Sequence, residues 1–371
     1  MLRKFLNTAL VTVATLATSN TFAASYNKNC APCDYPKSYD QGYEVCPSQL
    51  MAAYNSPARI DVNCAWDVLI NAAFIYWNVS EDGLSLSLSD ADGPGLPINP
   101  GRVTDLNFKY KPGFKVGLGF NTPQDNWQIY AQYTWLHFTD KVSTAAPNLP
   151  LGSLYPLQAH PDNVQDGTTV IRIDRANERW KVDLDLLDCE LARPYYVGTM
   201  LTFRPHAGLR AQWIDQKLDS NYRNASTLRY FNVNKKSTSW ALGPRFGFDT
   251  NWILGAGFRL IGNAASGLVY TKYKINHDEQ NATDPTAYSV QFNDKVSFLR
   301  PIADFQMGLG YGTYFGDNSF HFDIFATYDF HIFWNQNMFR TFTDDVSLGN
   351  NFVDLGDLYL HGLTLNVRFD F

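Results

Sequence analysis

The chain ends on the stretch YLHGLTLNVRFDF, residues 359–371, and this stretch decides the fold class. Nearly all of its odd positions, from Tyr359 to Phe371, are apolar or aromatic. Its even positions include a polar set: Thr364, Asn366, Arg368 and Asp370. An alternation with a period of two predicts a β-strand with one apolar face and one polar face. This strand is therefore expected to separate two environments, one of them apolar.

The same alternation recurs upstream. It is clear in residues 319–334, 108–120, 180–191 and 199–213, where aromatic or aliphatic side chains alternate with charged ones. About ten strands, within a range of eight to twelve, are predicted in an all-β chain. We expect the apolar faces to point outwards, so that Trp180, Val182, Leu184 and Leu186 face away from Lys181, Asp183 and Asp185. Seven tryptophans near strand ends predict aromatic girdles: Trp66, Trp127, Trp180, Trp213, Trp240, Trp252 and Trp334.

Short and long connections alternate along the chain. Short ones are predicted at 121–126, 193–197, 249–252 and 316–318, and long ones at 79–102, 139–179, 218–238, 276–293 and 335–357. Transmembrane β-barrels have tight turns at one end and long loops at the other, whereas a soluble sandwich has no reason to sort its loops by end. The pattern therefore predicts a transmembrane antiparallel up-and-down β-barrel over residues 66–371.

The first 23 residues are typical of a secretory signal peptide. Arg3 and Lys4 precede an apolar stretch from Phe5 to about Ala17, and small residues allow cleavage after Ala23. Together with the terminal strand, this leader predicts a multi-pass barrel in a bacterial outer membrane. The aromatic terminus at Phe371 is interpreted as the signal that the barrel assembly machinery reads. Residues 24–65 are predicted to form a periplasmic or lumenal segment.

Five cysteines are disulfide candidates in an exported chain: Cys30, Cys33, Cys46, Cys64 and Cys189. Four of them precede the first strand, and four cysteines allow three pairings. Cys189 shares the parity of Lys181, Asp183 and Asp185, so we expect it to face the lumen. There it would be able to pair with one of the four if residues 24–65 fold into or under the barrel. An odd total also leaves one thiol for an intermolecular bond.

The composition argues against several other functions. The net charge is −6 and no stretch is strongly basic, so no nucleic-acid partner is predicted. No histidine lies near the cysteine cluster, and neither a metal nor a cofactor is predicted. The pairs His277-Asp278 and Asp344-Asp345 lie in predicted loops without a recognisable nucleophile nearby. We therefore predict that the protein is not an enzyme.

Several motifs resemble the Legionella major outer membrane protein family, which also has members among chlamydia-like bacteria. The N-terminal motifs are Cys30-Ala-Pro-Cys33 and Asp61-Val-Asn-Cys64-Ala-Trp66-Asp67, followed by Ala73-Phe-Ile-Tyr-Trp77. Later ones are Pro112-Gly-Phe-Lys-Val-Gly-Leu-Gly-Phe120, Arg204-Pro-His-Ala-Gly-Leu-Arg210 and Trp240-Ala-Leu-Gly-Pro-Arg-Phe-Gly247. The resemblance implies a surface-exposed, pore-forming barrel, and by analogy with chlamydial envelopes a cross-linked one.

These observations predict a porin-like diffusion channel for ion transport with a mixed, weakly selective lumen. The expected pore-lining residues are basic (Lys109, Lys111, Lys115, Arg204, Arg210, Arg245, Arg259 and Arg300) and acidic (Asp183, Asp185, Asp304, Asp323 and Asp329). The alternative is a surface adhesin or structural envelope barrel whose lumen charges pair and plug it. Outer-membrane lipid is an expected partner. A homo-oligomer and a host surface bound through loop 139–179 are further possible partners.

Overall fold

Ten long antiparallel strands account for most of the computed structural model, which describes residues 55–63, 67–94, 98, 101–122, 125–166, 169–344, 350–353 and 356–371. The ten strands are Val68–Glu81 (β1), Tyr110–Asn121 (β2), Gln128–Ala145 (β3), Ile173–Ala192 (β4), Leu201–Asn224 (β5), Tyr230–Gly255 (β6), Phe258–Gln280 (β7), Tyr288–Phe315 (β8), Phe320–Phe333 (β9) and Leu358–Asp370 (β10). The proposed signal peptide, Cys30, Cys33, Cys46 and Cys64 lie outside the described residues.

The terminal strand β10 closes the barrel, because it pairs with β9 on one side and with β1 on the other. The paired residues can be followed round the barrel from Phe74 of β1. Through β2 to β7 they lead to Ser297 of β8, and through β10 and β9 they lead to Leu309 of the same strand. One circuit therefore advances the register by twelve residues, which for ten strands gives a tilt of about 40°. The prediction of an all-β, up-and-down barrel of about ten strands is confirmed.

The two ends of the barrel differ in their connections. At the turn end, β6 and β7 meet in a tight turn at Gly255, Ala256 and Gly257, whose φ angles of +106°, +50° and +83° favour glycine. The sequence placed this turn at 249–252, which is wrong. At the loop end, the connections after β1, β3 and β9 are long, but β5–β6 and β7–β8 are joined by only residues 225–229 and 281–287. The predicted long loops 218–238 and 276–293 are thus mostly strand.

The wall of the barrel is taller on one side. Strands β4–β8 have 20 to 28 residues, whereas β1, β2, β9 and β10 have 12 to 14. A strand of about 24 residues tilted by about 40° rises about 60 Å, and the apolar band of such barrels is only about 25 Å tall. On β5 the outward apolar residues end at Trp213, and Asp215 begins a polar stretch that runs to Arg223. We call β4–β8 the extended wall.

Short elements fill the loop end. Strand Ser85–Asp90 pairs with Arg102–Asp105 on one side and with Ser153–Pro156 on the other, and Leu154 continues the pairing to Ile173 of β4. Gln165–Asp166 pairs with Thr169–Val170, and Arg340–Phe342 pairs with Asn351–Val353; Tyr195–Tyr196 extends the sheet at the turn end. A 3₁₀ turn spans Pro161–Val164. Within the described ranges, no helix is long and apolar enough to cross a membrane.

Candidate functional site in the barrel lumen

The outer surface of the barrel is apolar over its belt, and the lumen receives the alternate side chains. Phe114 of β2, Leu209 of β5, Tyr328 of β9 and Leu365 of β10 are exposed on the outside, as the alternation predicted for these strands. The neighbouring residues on the opposite face are buried in the lumen. The structure thereby places Lys111, Lys115, Arg204, Arg210, Arg245, Arg259, Arg300, Asp304, Asp323 and Asp329 on the inner face.

Strand β4 has the opposite orientation to the predicted one. Trp180, Val182 and Leu184 point into the lumen and are fully buried, so the apolar face of this strand is the inner one. Lys181, Asp183, Asp185 and Cys189 accordingly lie on the outer wall, which corrects their predicted lumenal position. Asp185 accepts a hydrogen bond from the Tyr133 hydroxyl (2.5 Å) and lies 3.0 Å from His137 Nε2. The error arose because the lumen is itself apolar at this height.

Two further residues fall outside the predicted arrangement. Lys109 precedes β2 and is exposed at the loop end, so it does not line the lumen. Cys189 is exposed on the outer wall, and among the described residues it has no disulfide partner. The pairing of the other four cysteines stays a prediction.

The half of the lumen near the turn end contains a network of ion pairs. Arg210 donates to both carboxylate oxygens of Asp188, at 2.6 and 2.8 Å, and to Asp304 at 3.1 Å. Arg245 joins Asp304 (2.9 Å) to Glu190 (2.5 Å). His331 Nδ1 lies 2.7 Å from Asp304 Oδ1. Arg210, Asp188 and Asp304 are all nearly inaccessible to solvent, so these charges neutralise one another away from water.

The remaining lumen charges in this half are also paired. Arg204 binds Asp249 at 2.5 Å, Arg259 binds Asp323, and Arg368 binds Asp370 at 2.5 Å. Lys115 donates to Asp329 at 2.9 Å and lies 4.5 Å from the ring of Trp77. The sequence missed Asp188 and Glu190 because β4 was reversed, and missed Asp249 because a turn was placed there. The alternation of Arg204, His206 and Arg210 was the signal that acidic partners face them.

A cavity of about 390 Å³ lies among these pairs, and we call it the charged chamber. Residues 56–63 cross its opening at the turn end as a strap. The Tyr196 amide donates to the Ser56 carbonyl at 2.9 Å, the Ala58 amide donates to Pro194 at 3.1 Å, and the Asn63 amide donates to Asn318 at 2.8 Å. Ala58, Arg59 and Ile60 of the strap line the chamber. The strap thus links the β4–β5 turn to the β8–β9 turn across the lumen.

Above the chamber the lumen is filled by an apolar layer to which nine of the ten barrel strands contribute. Its members on the wall are Ile75, Trp77, Val79, Leu136, Phe138, Trp180, Val182, Leu184, Leu186, Ile214, Leu218, Ala241, Val269, Ile302, Phe333, Leu358 and Leu360, and the loops add Leu84, Leu106 and Phe339. All of these side chains are buried. Among the described residues, the wall side chains at this height are therefore packed against one another and inaccessible to solvent.

The predicted contact loop 139–179 is shorter in the structure, and the connection between β3 and β4 covers the loop end of the barrel. Residues 139–145 and 173–179 are strand, and only 146–172 form the loop. Its His160 amide and the Asn163 side-chain amide donate to Glu279 at 2.9 and 2.6 Å. Leu86, Leu154, Ile171, Tyr222 and Phe231 belong to a second buried apolar cluster beneath this loop. The loop is a cap on the lumen, attached to the extended wall.

Two other predicted positions lie near the mouth of the lumen. Lys111 donates to Asp140 at 2.5 Å, and Arg300 lies 3.0 Å from Met338 Sδ and against the rings of Phe298 and Tyr273. His277, from the predicted loop pair His277-Asp278, lies on β7 beside Glu279 and Phe292. No group of three His, Cys, Asp or Glu residues able to hold a metal ion occurs in the part of the chain described by the structure.

Comparison with known proteins identifies a family for most of the chain. Residues 61–371 match the family model described as the Legionella pneumophila major outer membrane protein precursor. No curated protein sequence matches significantly.

Solved structures show weaker likenesses. The outer membrane protease OmpT from Escherichia coli aligns at 11% identity over 85% of this chain and 99% of its own, with a TM-score of 0.46. The Pseudomonas putida toluene transporter TodX aligns at 8% identity over 82% and 89%, with a TM-score of 0.31. A Pseudomonas aeruginosa FadL homologue aligns at 8% identity over 82% of this chain and 89% of its own, with a TM-score of 0.27. Likenesses of this strength do not extend to function.

Proposed function

The chain belongs to the Legionella pneumophila major outer membrane protein family, and we propose that it serves as a closed, non-enzymatic surface barrel with a plugged lumen. It is an outer-membrane protein, so its turn end faces the periplasm and its loop end faces outwards. We infer that the barrel anchors the extended wall and its cap and displays them outside the membrane. The alternative of an open diffusion pore, with ion transport, stays a prediction.

The apolar layer carries this proposal. Trp77, Leu136, Leu184 and Ile214 belong to four different wall strands, and each is completely buried. A plug made of loop residues is able to swing aside, but side chains of the wall move only if the hydrogen-bonded strands move. An ion in such an apolar constriction loses its hydration without gaining polar contacts.

The paired charges below the layer support the same conclusion. A selective wall needs charges that are free to interact with a passing ion, whereas Arg210, Arg245 and Asp304 are bound to one another and to neighbouring groups. Releasing any one of them leaves a buried charge without its partner, which is unfavourable by several kcal/mol. The charged chamber is therefore better suited to hold the wall together than to conduct.

Planar-bilayer recording tests the proposal. Pure, folded protein is expected to give no step conductance, and liposomes that contain it are expected not to swell in isotonic sugar. Insertion is checked by protease protection of the membrane belt, and folding by the heat-dependent shift in gel migration. Step conductance from protein that passes both checks would overturn the closed barrel.

A gated pore is the second candidate, and the charged chamber is the observation in its favour. Several buried polar atoms of residues that line it, including His206 Nδ1, Asn263 Oδ1 and Asn366 Oδ1, have no hydrogen-bond partner among the described residues. Water in a cavity of this size satisfies such atoms. A gated pore predicts steps that appear only under voltage or after a change of pH, so the recordings should include both.

Adhesion through the cap is tested at its exposed tip. Leu149 and Leu151 are 51% and 68% exposed at the outer end of the cap, whereas Leu154 and Ile171 of the same loop are core residues. Deleting the whole loop would therefore remove part of the core. Leu149→Ser with Leu151→Ser should instead reduce the binding of bacteria to host cells without changing barrel stability. Leu228→Ser, at a different exposed tip, is the matched control.

A further inference from the structure

The outer face of the extended wall places like charges side by side. Lys181 of β4 is directly opposite Lys217 of β5, and Lys217 is directly opposite Lys236 of β6. All three side chains are exposed on the outer wall. We call them the lysine row. Like charges directly opposite on neighbouring strands are destabilising, so a row of three needs a physical explanation.

Other pairs of basic residues also lie directly opposite each other on the extended wall and on the neighbouring strand β3. Lys141 is opposite Arg179 on β3 and β4, and Arg175 is opposite Arg223 on β4 and β5. Lys274 is opposite Lys295 on β7 and β8. The protein as a whole carries a net charge of −6, so basic residues are concentrated on this face against the overall balance.

Each lysine of the lysine row has one carboxylate nearby. Asp183 lies 2.5 Å from Lys181 Nζ, and Asp219 lies 2.9 Å from Lys217 Nζ. Asp215, opposite Asp183, lies near Lys236. A lysine ammonium has three donors, so one ion pair fixes its position while donors remain for another acceptor. The carboxylates thus orient the three ammonium groups and leave further N–H donors on each of them.

The height of the lysine row above the outer tryptophans indicates which part of the membrane it contacts. Trp213 and Trp240 are paired on β5 and β6, four residues closer to the turn end than Lys217 and Lys236. Four residues correspond to about 13 Å along a strand and about 10 Å along the membrane normal at this tilt. Tryptophans of the outer wall mark the membrane interface. The row therefore lies at the height of the lipid headgroups.

We propose that the lysine row, with the basic pairs beside it, binds the phosphate groups of anionic lipids in the outer leaflet. A phosphate between two opposed lysines accepts hydrogen bonds from both and converts their repulsion into attraction. The outer wall thereby anchors the extended half of the barrel to the headgroup layer. This inference rests on the outer-membrane location and does not depend on whether the lumen conducts.

The test compares lipid binding with stability. Native mass spectrometry of the full chain in neutral detergent measures binding of phosphatidylglycerol and, as a reference, phosphatidylcholine. The triple variant Lys181→Gln, Lys217→Gln, Lys236→Gln should lose phosphatidylglycerol affinity by about 100-fold, since each basic residue at an anionic surface contributes about 1 kcal/mol. Its melting temperature without lipid should stay close to that of the wild type, because the variant loses the repulsion within the row together with the exposed ion pairs to Asp183 and Asp219.

The control variant makes the same change in charge away from the wall. Lys109→Gln, Arg102→Gln and Arg229→Gln alter three exposed residues at the loop end. This control should retain phosphatidylglycerol binding. The proposal is overturned if the two triple variants lose binding equally, if neither loses it, or if the wall variant melts lower in detergent without lipid. The last result would show that the lysines serve the fold.

Discussion

The two halves of the lumen are held together by opposite physical means. At the turn end, ion pairs among Arg210, Asp188 and Asp304 line the charged chamber, whereas Trp180 and Leu184 pack in the apolar layer of the other half. An ion-paired interior depends on every partner being present, because a single loss leaves a buried charge. An apolar interior depends on volume, because a single loss leaves a cavity. The comparison teaches that one barrel contains two kinds of core with different sensitivities to mutation.

The largest effect is expected from breaking the ion-paired half. Arg210→Met retains much of the side-chain volume but leaves Asp188 without its bidentate partner. Unfolding in denaturant, with the protein in detergent, should show a loss of about 3–5 kcal/mol. Adding Asp188→Asn to Arg210→Met removes the unpaired charge and should recover part of the stability.

Arg193 supplies the control for that experiment. It binds Asp125 at 2.6 Å, but both side chains are accessible to solvent at the turn end. Arg193→Met should therefore change stability by less than about 1 kcal/mol. If Arg193→Met and Arg210→Met have equal effects, burial is not what makes the chamber network important.

An intermediate effect is expected in the apolar half. Leu184→Ala should destabilise the barrel by about 2–5 kcal/mol, because it empties part of the apolar layer. Leu191→Ala on the same strand changes a side chain that is 46% exposed on the outer wall, and its effect should be clearly smaller. Denaturant unfolding in detergent compares them. A larger loss for Leu191→Ala would contradict the orientation that the structure gives β4.

The smallest effect is expected at the cap. Glu279→Ala removes the acceptor of the His160 amide and of the Asn163 side chain, which is unfavourable by about 1–3 kcal/mol. The loss is local, so we expect faster protease cleavage within 146–172 and little change in global unfolding. Glu279→Gln keeps one acceptor oxygen and should be cleaved more slowly than Glu279→Ala. Equal cleavage of wild type and Glu279→Ala would argue against this attachment.

The sequence predicts a strand well where its two faces meet different environments. On β9 and β10 the outside is lipid and the inside is polar, so Tyr328 against Asp329, and Leu365 against Asn366, indicate both strand and orientation. On β4 the inner face belongs to the apolar layer, so the apolar Leu184 points inside and the charged Asp183 points outside. Period-two alternation identifies a strand, but polarity alone does not tell the membrane side from the lumen.

The packing inside the lumen depends on contacts that the sequence does not display. Arg210 and Asp304 are distant in the chain, and they meet only because the register of three intervening strand pairings brings them to one height. The extended wall escaped prediction for a related reason. Beyond the apolar belt its outer face is polar, as at Lys217 and Asp219, so the alternation of apolar and polar residues weakens and the strand resembles a loop in sequence.

The meeting of β1 with β10 has a consequence for how the barrel forms. Every other pairing among the ten barrel strands joins neighbours in the chain, whereas this seam joins Leu69 to Asp370. Contacts between distant chain positions carry the greatest loop-closure entropy and form late. The seam joins 13 residue pairs, more than the eight that join β2 to β3, so its late formation comes from its place in the chain and not from its length. We expect the ring to close there last.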